Sequence, residues 1–177
     1  MQTQKYHLSA RIMHWTMSII ILSLLALGFY MANFMSPEAP NKMMIYNLHK
    51  SFGALVMFLV VGRIFIRFAH QVPALPSSMS MIVQKSAHLA HIALYVLMVF
   101  MPLSGYLMSN FFGYSVHLFG LPLPMLVEKN VEMGKFCADA HEFLGFSFVA
   151  VLALHIAGVV KHRFFDRPEH DVLKRMI

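Results

Sequence analysis

An all-α integral membrane bundle of four helices, with both termini in the cytoplasm, is the fold this sequence predicts. Three observations predict it. The 177 residues are 58% hydrophobic and only 12% charged. A soluble domain carries roughly 25% charged residues, so this chain has too little polar surface to cover a water-soluble globule. Its apolar residues gather into four runs, at about 12–34, 46–68, 87–110 and 138–160. Each is close to the ~20 residues that carry a helix across a ~30 Å hydrocarbon core. The cations are split unevenly about those runs. Lys5, Arg11, Arg63, Arg67, Lys85, Lys161, Arg163, Arg167, Lys174 and Arg175 fall on the side holding both termini, and Lys42, Lys50, Lys129 and Lys135 on the other. Basic residues concentrate on the cytoplasmic side of membrane proteins, so both termini are expected inside, in a single transmembrane domain spanning 1–177.

Taken in order, the stretch from Met1 to His7 leads into the first run with no small-residue cleavage site, so an uncleaved first span is expected. Pro37 and Pro40 mark the first loop. Pro73, Pro76 and Ser77-Ser78 mark the second. Pro102 sits inside the third run, where a kink is expected. The third loop, from about 111 to 137, is the longest. Its Leu118-Phe119-Gly120-Leu121-Pro122-Leu123-Pro124 is too short and too Pro-rich to span, and is expected to lie along the interface. No segment alternates polar and apolar residues as a membrane barrel strand does. The net charge of +6 is explained by cations clustered at the ends of apolar runs, so no nucleic-acid partner is expected. The single cysteine, Cys137, excludes an intramolecular disulfide and any thiolate-held zinc or iron–sulfur cluster.

The chemistry lies in the eleven histidines. His7, His70, His117, His162 and His170 lie beyond the spans or in loops, and read as solvated surface residues. His14, His49, His88, His91, His141 and His155 sit within or just inside the apolar runs, where ionisable groups are costly and usually functional. His141 and His155 are fourteen residues apart on one helix. At ~100° per residue that returns to within ~40° of the starting direction, and at ~1.5 Å per residue it spans ~21 Å. One helix thus offers one imidazole near each side of the membrane. The first run crosses from inside to outside and the second returns, which puts His14 near the inner face and His49 near the outer. The result is an inner pair, His14 with His155, and an outer pair, His49 with His141. Two imidazoles from two helices are what the opposite faces of a haem require, and ligation on both faces suits electron transfer.

Gly53 and Gly145 follow His49 and His141 by four, one turn along the same face. There a missing side chain either lets a macrocycle lie against the backbone or serves helix packing. Gly28, fourteen after His14, offers a similar gap at the outer depth. Arg63, fourteen after His49, falls at the inner depth. It pairs there with a haem propionate or snorkels to lipid phosphates. His88 and His91 share a face at the inner start of the third run, with Lys85 one turn earlier. They stand as alternative inner ligands, as quinone partners, or as a polar helix start. Trp15 reads as an interfacial anchor. The sixteen methionines and sixteen phenylalanines read as core and lipid-facing filler.

These residues resemble the bacterial cytochrome b561 family, related to the di-haem cytochrome b subunits of nickel–iron hydrogenases and formate dehydrogenases. The likeness rests on His14-Trp15 and on Leu48-His49-Lys50-Ser51-Phe52-Gly53. It extends to His88-Leu89-Ala90-His91, Ala140-His141-Glu142 and Leu154-His155, with Lys161-His162 after them. It covers nearly the whole chain. The resemblance implies two haem b groups held by His14, His49, His141 and His155, and electron exchange with ubiquinone or menaquinone in the bacterial inner membrane. One branch of the family oxidises superoxide at the periplasmic face. The resemblance therefore implies a quinone-linked oxidoreductase with a small reductant such as superoxide. An alternative is a cytochrome b anchor subunit fed by a dehydrogenase partner protein. A metal or proton transporter lined by the histidines is a further alternative. No motif in the chain designates catalytic residues or a quinone site.

Overall fold

The computed structural model describes residues 4–177. Its order is α1 (Leu8–Asn33), α2 (Lys42–Ala69), α3 (Met81–Phe111), β1 (His117–Leu118), β2 (Leu121–Pro122) and α4 (Val131–Phe164), followed by 3₁₀ turns at Pro168–His170 and Leu173–Arg175. Residues 1–3, part of the stretch expected to lead uncleaved into the first span, lie outside the described residues. All four helices are long and apolar enough to cross a membrane. The chain is a four-helix membrane bundle, and an even number of crossings brings both described ends to one side.

Each helix is longer than its apolar stretch, and a side chain caps the start of α1, α3 and α4. Ser80 accepts a hydrogen bond from the Val83 backbone N–H at the start of α3. Asn130 does the same for Met133 at the start of α4. Glu132 lies in the first turn of α4 and Lys161, His162 and Arg163 in its last, the arrangement that complements the helix dipole. At 34 residues and ~1.5 Å per residue, α4 is ~51 Å long, longer than the ~30 Å hydrocarbon core it has to cross. Pro102 leaves α3 helical throughout; neighbouring helices make such a residue tolerable in a membrane span.

The core lies mid-bundle. Met17 and Ile21 of α1, Val56 and Val60 of α2, Leu97 and Met98 of α3 and Phe148 of α4 form one buried apolar cluster. On the outside Phe58, Phe65, Phe68, Leu89, Phe143 and Leu154 are exposed, as lipid-facing residues are in a bundle whose solvent is hydrocarbon.

The third loop departs from its expected course. Its second half is already helix, since α4 begins at Val131. Its first half is a hairpin docked on the outer end of the bundle, with Leu118 paired to Leu121 and His117 to Pro122. The two turn residues, Phe119 at φ 50° and Gly120 at φ 97°, both take the positive φ of a two-residue hairpin turn of type I′. Phenylalanine in that conformation costs about 1 kcal/mol or more. The Phe119 ring packs edge-on to Phe52 of α2, centroids 5.1 Å apart, which offsets it. The Ser51 hydroxyl donates to the His117 carbonyl at 2.7 Å and Tyr106 donates to the Pro124 carbonyl. Ala54, Tyr106 and Val116 form a second buried cluster beneath the hairpin. Apolar burial and main-chain pairing dock this loop on the end of the bundle.

Candidate functional site

The core cluster separates two layers of histidine. In the outer layer His49 of α2 faces His141 of α4, with ring centroids 6.3 Å apart and planes at 79°. In the inner layer His14 of α1 faces His155 of α4 at 6.5 Å and 68°. These separations can be tested against a haem iron. A metal–nitrogen bond of ~2.0 Å on each side, plus ~1.1 Å from each nitrogen to its ring centre, puts two axial imidazoles ~6.2 Å apart. Both pairs are at that spacing, and each pair joins two helices.

The tautomers add a second test. His141 Nδ1 donates to the Met101 carbonyl at 3.0 Å, with the Ser104 hydroxyl also 3.0 Å away. A carbonyl can only accept, so the proton sits on Nδ1 and the Nε2 lone pair is free for a metal. A ligating histidine held this way by a carbonyl is the usual outer-shell arrangement. His49 Nδ1 is buried with no hydrogen-bond partner among the described residues. His14 differs from both. Arg63 donates to its Nδ1 at 3.1 Å, and a guanidinium only donates. Ligation through Nε2 needs the proton on Nδ1, so Arg63 must then turn away. Arg63 and Arg67 flank the Tyr95 ring, at 5.8 and 5.4 Å from its centroid, within the same inner layer.

Small residues stand against the outer layer. A Cβ on Gly28 of α1 would lie 3.4 Å from His49 Cε1, and one on Gly105 of α3 only 2.8 Å from His141 Cε1. Gly105 therefore allows α3 to approach α4 closely enough for the Met101 carbonyl to reach His141. At Gly53 a Cβ would meet nothing within 4 Å, whereas at Gly145 it would meet Met101 at 3.4 Å. The first leaves open space one turn from His49; the second is helix packing. The sequence pattern did not mark Gly105, Met101, Ser104, Arg67 or Tyr95, because their roles are set by contacts between helices.

His91 joins the inner layer, its ring 5.4 Å from that of His155. That is shorter than two imidazoles flanking an iron require. His14 remains the partner whose spacing fits, with His91 beside the pair. His88 is separate. With Gln84 and Lys85 it lines an open groove of about 740 Å³ whose other walls include Leu75, Met81 and Ile92.

One surface expectation fails. His170, expected to be solvated, is 6% exposed. It is held by Asp166 at 2.9 Å through Nδ1 and by the Ser78 hydroxyl at 2.8 Å through Nε2, because the residues after α4 fold back on the bundle. His162 also bonds Asp166, at 2.8 Å. The Arg167 backbone N–H, then His170 and His162, hold the Asp166 carboxyl well below the usual carboxylate range. A depressed carboxylate stabilises the fold above its ordinary range and loses that contribution only as pH falls through the depressed value. The cluster should therefore stay intact on acidification to about pH 4, as followed by the emission of the single tryptophan, Trp15, which is bonded to the same segment. Asp171 is also lowered. Its burial acts in the opposite sense, and the hydrogen bond and charge of Arg163 outweigh it.

Comparison with known proteins converges on one family. Residues 5–177 match the family described as prokaryotic cytochrome b561. "Cytochrome b561 homolog 2" of Escherichia coli (strain K12) is 30% identical over 180 residues, covering 98% of this chain and 92% of that protein. The "probable superoxide oxidase CybB" of Yersinia pestis is 25% identical over 117 residues, 66% of each chain. The match runs from before α1 to beyond α4, so the paired histidines and all four spans lie inside it: the chain belongs to the prokaryotic cytochrome b561 family.

Proposed function

We propose that this membrane protein is a di-haem b-type cytochrome that carries electrons across the bacterial inner membrane to or from quinone. His14 and His155 hold the inner haem, and His49 and His141 the outer. Family membership implies haem b; the number of haems and their ligands are our reading. The observation that carries it is the pair of two-helix imidazole sets, at 6.5 and 6.3 Å, on either side of one apolar core. When bound, the haem irons supply reversible one-electron chemistry.

The chain's own residues do the rest. The α4 helix sets the two ligand layers ~21 Å apart. The Met101 carbonyl fixes His141. Arg63, once it leaves His14, is placed to pair with a propionate. The groove of Gln84, Lys85 and His88 gives an apolar quinone a slot with polar groups for its carbonyls. The relative named as a probable superoxide oxidase supports superoxide as the reductant. Two superoxides would yield two dioxygen molecules and two electrons, which with two protons reduce quinone to quinol.

Haem quantification with a reduced-minus-oxidised spectrum tests the cofactor reading: about two haem b per chain is expected, and none with ample haem supply overturns it. Superoxide-driven reduction of ubiquinone by the purified protein tests the reaction. No rate above the uncatalysed one would favour the anchor subunit of a dehydrogenase.

A further inference from the structure

The segment after α4 is a strap across the inner end of the bundle. Arg175 is 6% exposed. It donates to the Ala74 carbonyl at 2.7 Å and lies over the Tyr6 ring, 5.9 Å from its centroid. The Arg175 carbonyl accepts from the Tyr6 N–H at 3.0 Å. Ser78 donates to Glu169 at 2.9 Å. One short segment is thus tied to the N-terminal stretch and to the loop between α2 and α3.

Its next residue reaches the inner layer. The Met176 carbonyl accepts from Trp15 Nε1 at 2.9 Å, and the Trp15 ring stands edge-on to His14, centroids 5.2 Å apart at 71°. An indole N–H only donates, and for an interfacial tryptophan the usual acceptors are water and lipid headgroups. Here the acceptor belongs to the protein. The indole, 42% exposed, is thus held by the strap through its N–H while its ring stands against an imidazole of the inner pair.

We propose that the 165–177 strap, acting through Trp15, is a positioning device for the inner haem: it sets the plane and the ligand strength of His14. This rests on the di-haem reading above. Groups that orient a ligating histidine tune its metal, so a freed indole leaves the imidazole a wider range of orientations. The outer layer lies ~21 Å away along α4 and shares none of these contacts.

The test uses the haem-loaded protein in two variants. Trp15→Phe keeps a ring beside His14 and deletes the N–H. Arg175→Met removes the strap's side-chain ties to the Ala74 carbonyl and the Tyr6 ring with Trp15 intact. The readouts are the redox titration and the low-spin electron paramagnetic resonance signal of each haem, the inner one assigned as the signal missing from His155→Ala. In both variants the inner signal is expected to shift and the outer to stay. The double variant should shift no further than the larger single one. In haem-free protein, Arg175→Met should also move the Trp15 emission to the red. An unmoved inner signal in a two-haem protein overturns this proposal alone, as does an equal shift of both haems. Wild-type protein with no haem signal overturns the di-haem reading and this proposal with it. If Arg175→Met fails to fold, Trp15→Phe decides by the same criteria.

Discussion

Replacing His155 by alanine is expected to lower the haem content from two per chain to about one and to remove the inner signal alone. His155 is the common neighbour of His14 and His91, with ring separations of 6.5 and 5.4 Å. Its loss leaves two imidazoles from α1 and α3 with no partner from α4. The outer pair contacts neither of them. Haem content and spectra of the purified variant check this. Loss of both haems together would mean that the pairing is wrong, or that the bundle needs both haems to fold. The matching variant, His141→Ala, should give the reciprocal result.

A second large effect is expected at a residue with no chemistry of its own. Gly105→Val places a branched side chain where a single Cβ would already be 2.8 Å from His141 Cε1 and 3.0 Å from Nδ1. Contacts that short force something to move. The ring cannot yield without leaving the Met101 carbonyl, and the backbone of α3 cannot yield without parting from α4. Overpacking of this kind costs ~1–3 kcal/mol in a well-packed core. The outer haem should be lost or bound at least tenfold more weakly, which is the effect of about 1.4 kcal/mol, while the inner haem remains. Haem titration into haem-free protein measures both sites.

The spans and the two histidine pairs were legible in the sequence for one reason. Burying an imidazole in hydrocarbon is expensive, so His14, His49, His141 and His155 stand out against their apolar surroundings, and helical geometry sorts them by depth. The ends of the helices were less legible. The first turns of α4 carry Glu132, Lys135 and Asp139, a composition shared with loops, and it is the Asn130 cap that makes them helix. The hairpin was hidden because its positive-φ pair is Phe119-Gly120 instead of the Asn-Gly that marks such turns. Its stability comes from Phe52 and Ser51, 67 and 66 residues away from their partners. The burial of His170 was illegible for the same reason, since Ser78 lies 92 residues earlier. Arg63 was placed at the correct depth by counting, but its bond to His14 is a contact between α1 and α2 that no spacing encodes.

The placement of both α4 histidines on one rod has a mechanical consequence. His49 and His14 come from different helices, so their distances from α4 depend on how the helices pack. The interval between His141 and His155 does not, because continuous main-chain hydrogen bonding fixes it. Helix α4 is in effect a ruler, and the other helices supply only the second hand at each mark. Thicker or thinner bilayers would tilt the ruler without rescaling it. A single residue inserted between the marks would turn one of them by ~100° and point it away from its partner. Packing between helices thus sets how each pair closes, and the α4 backbone alone sets the distance between the pairs.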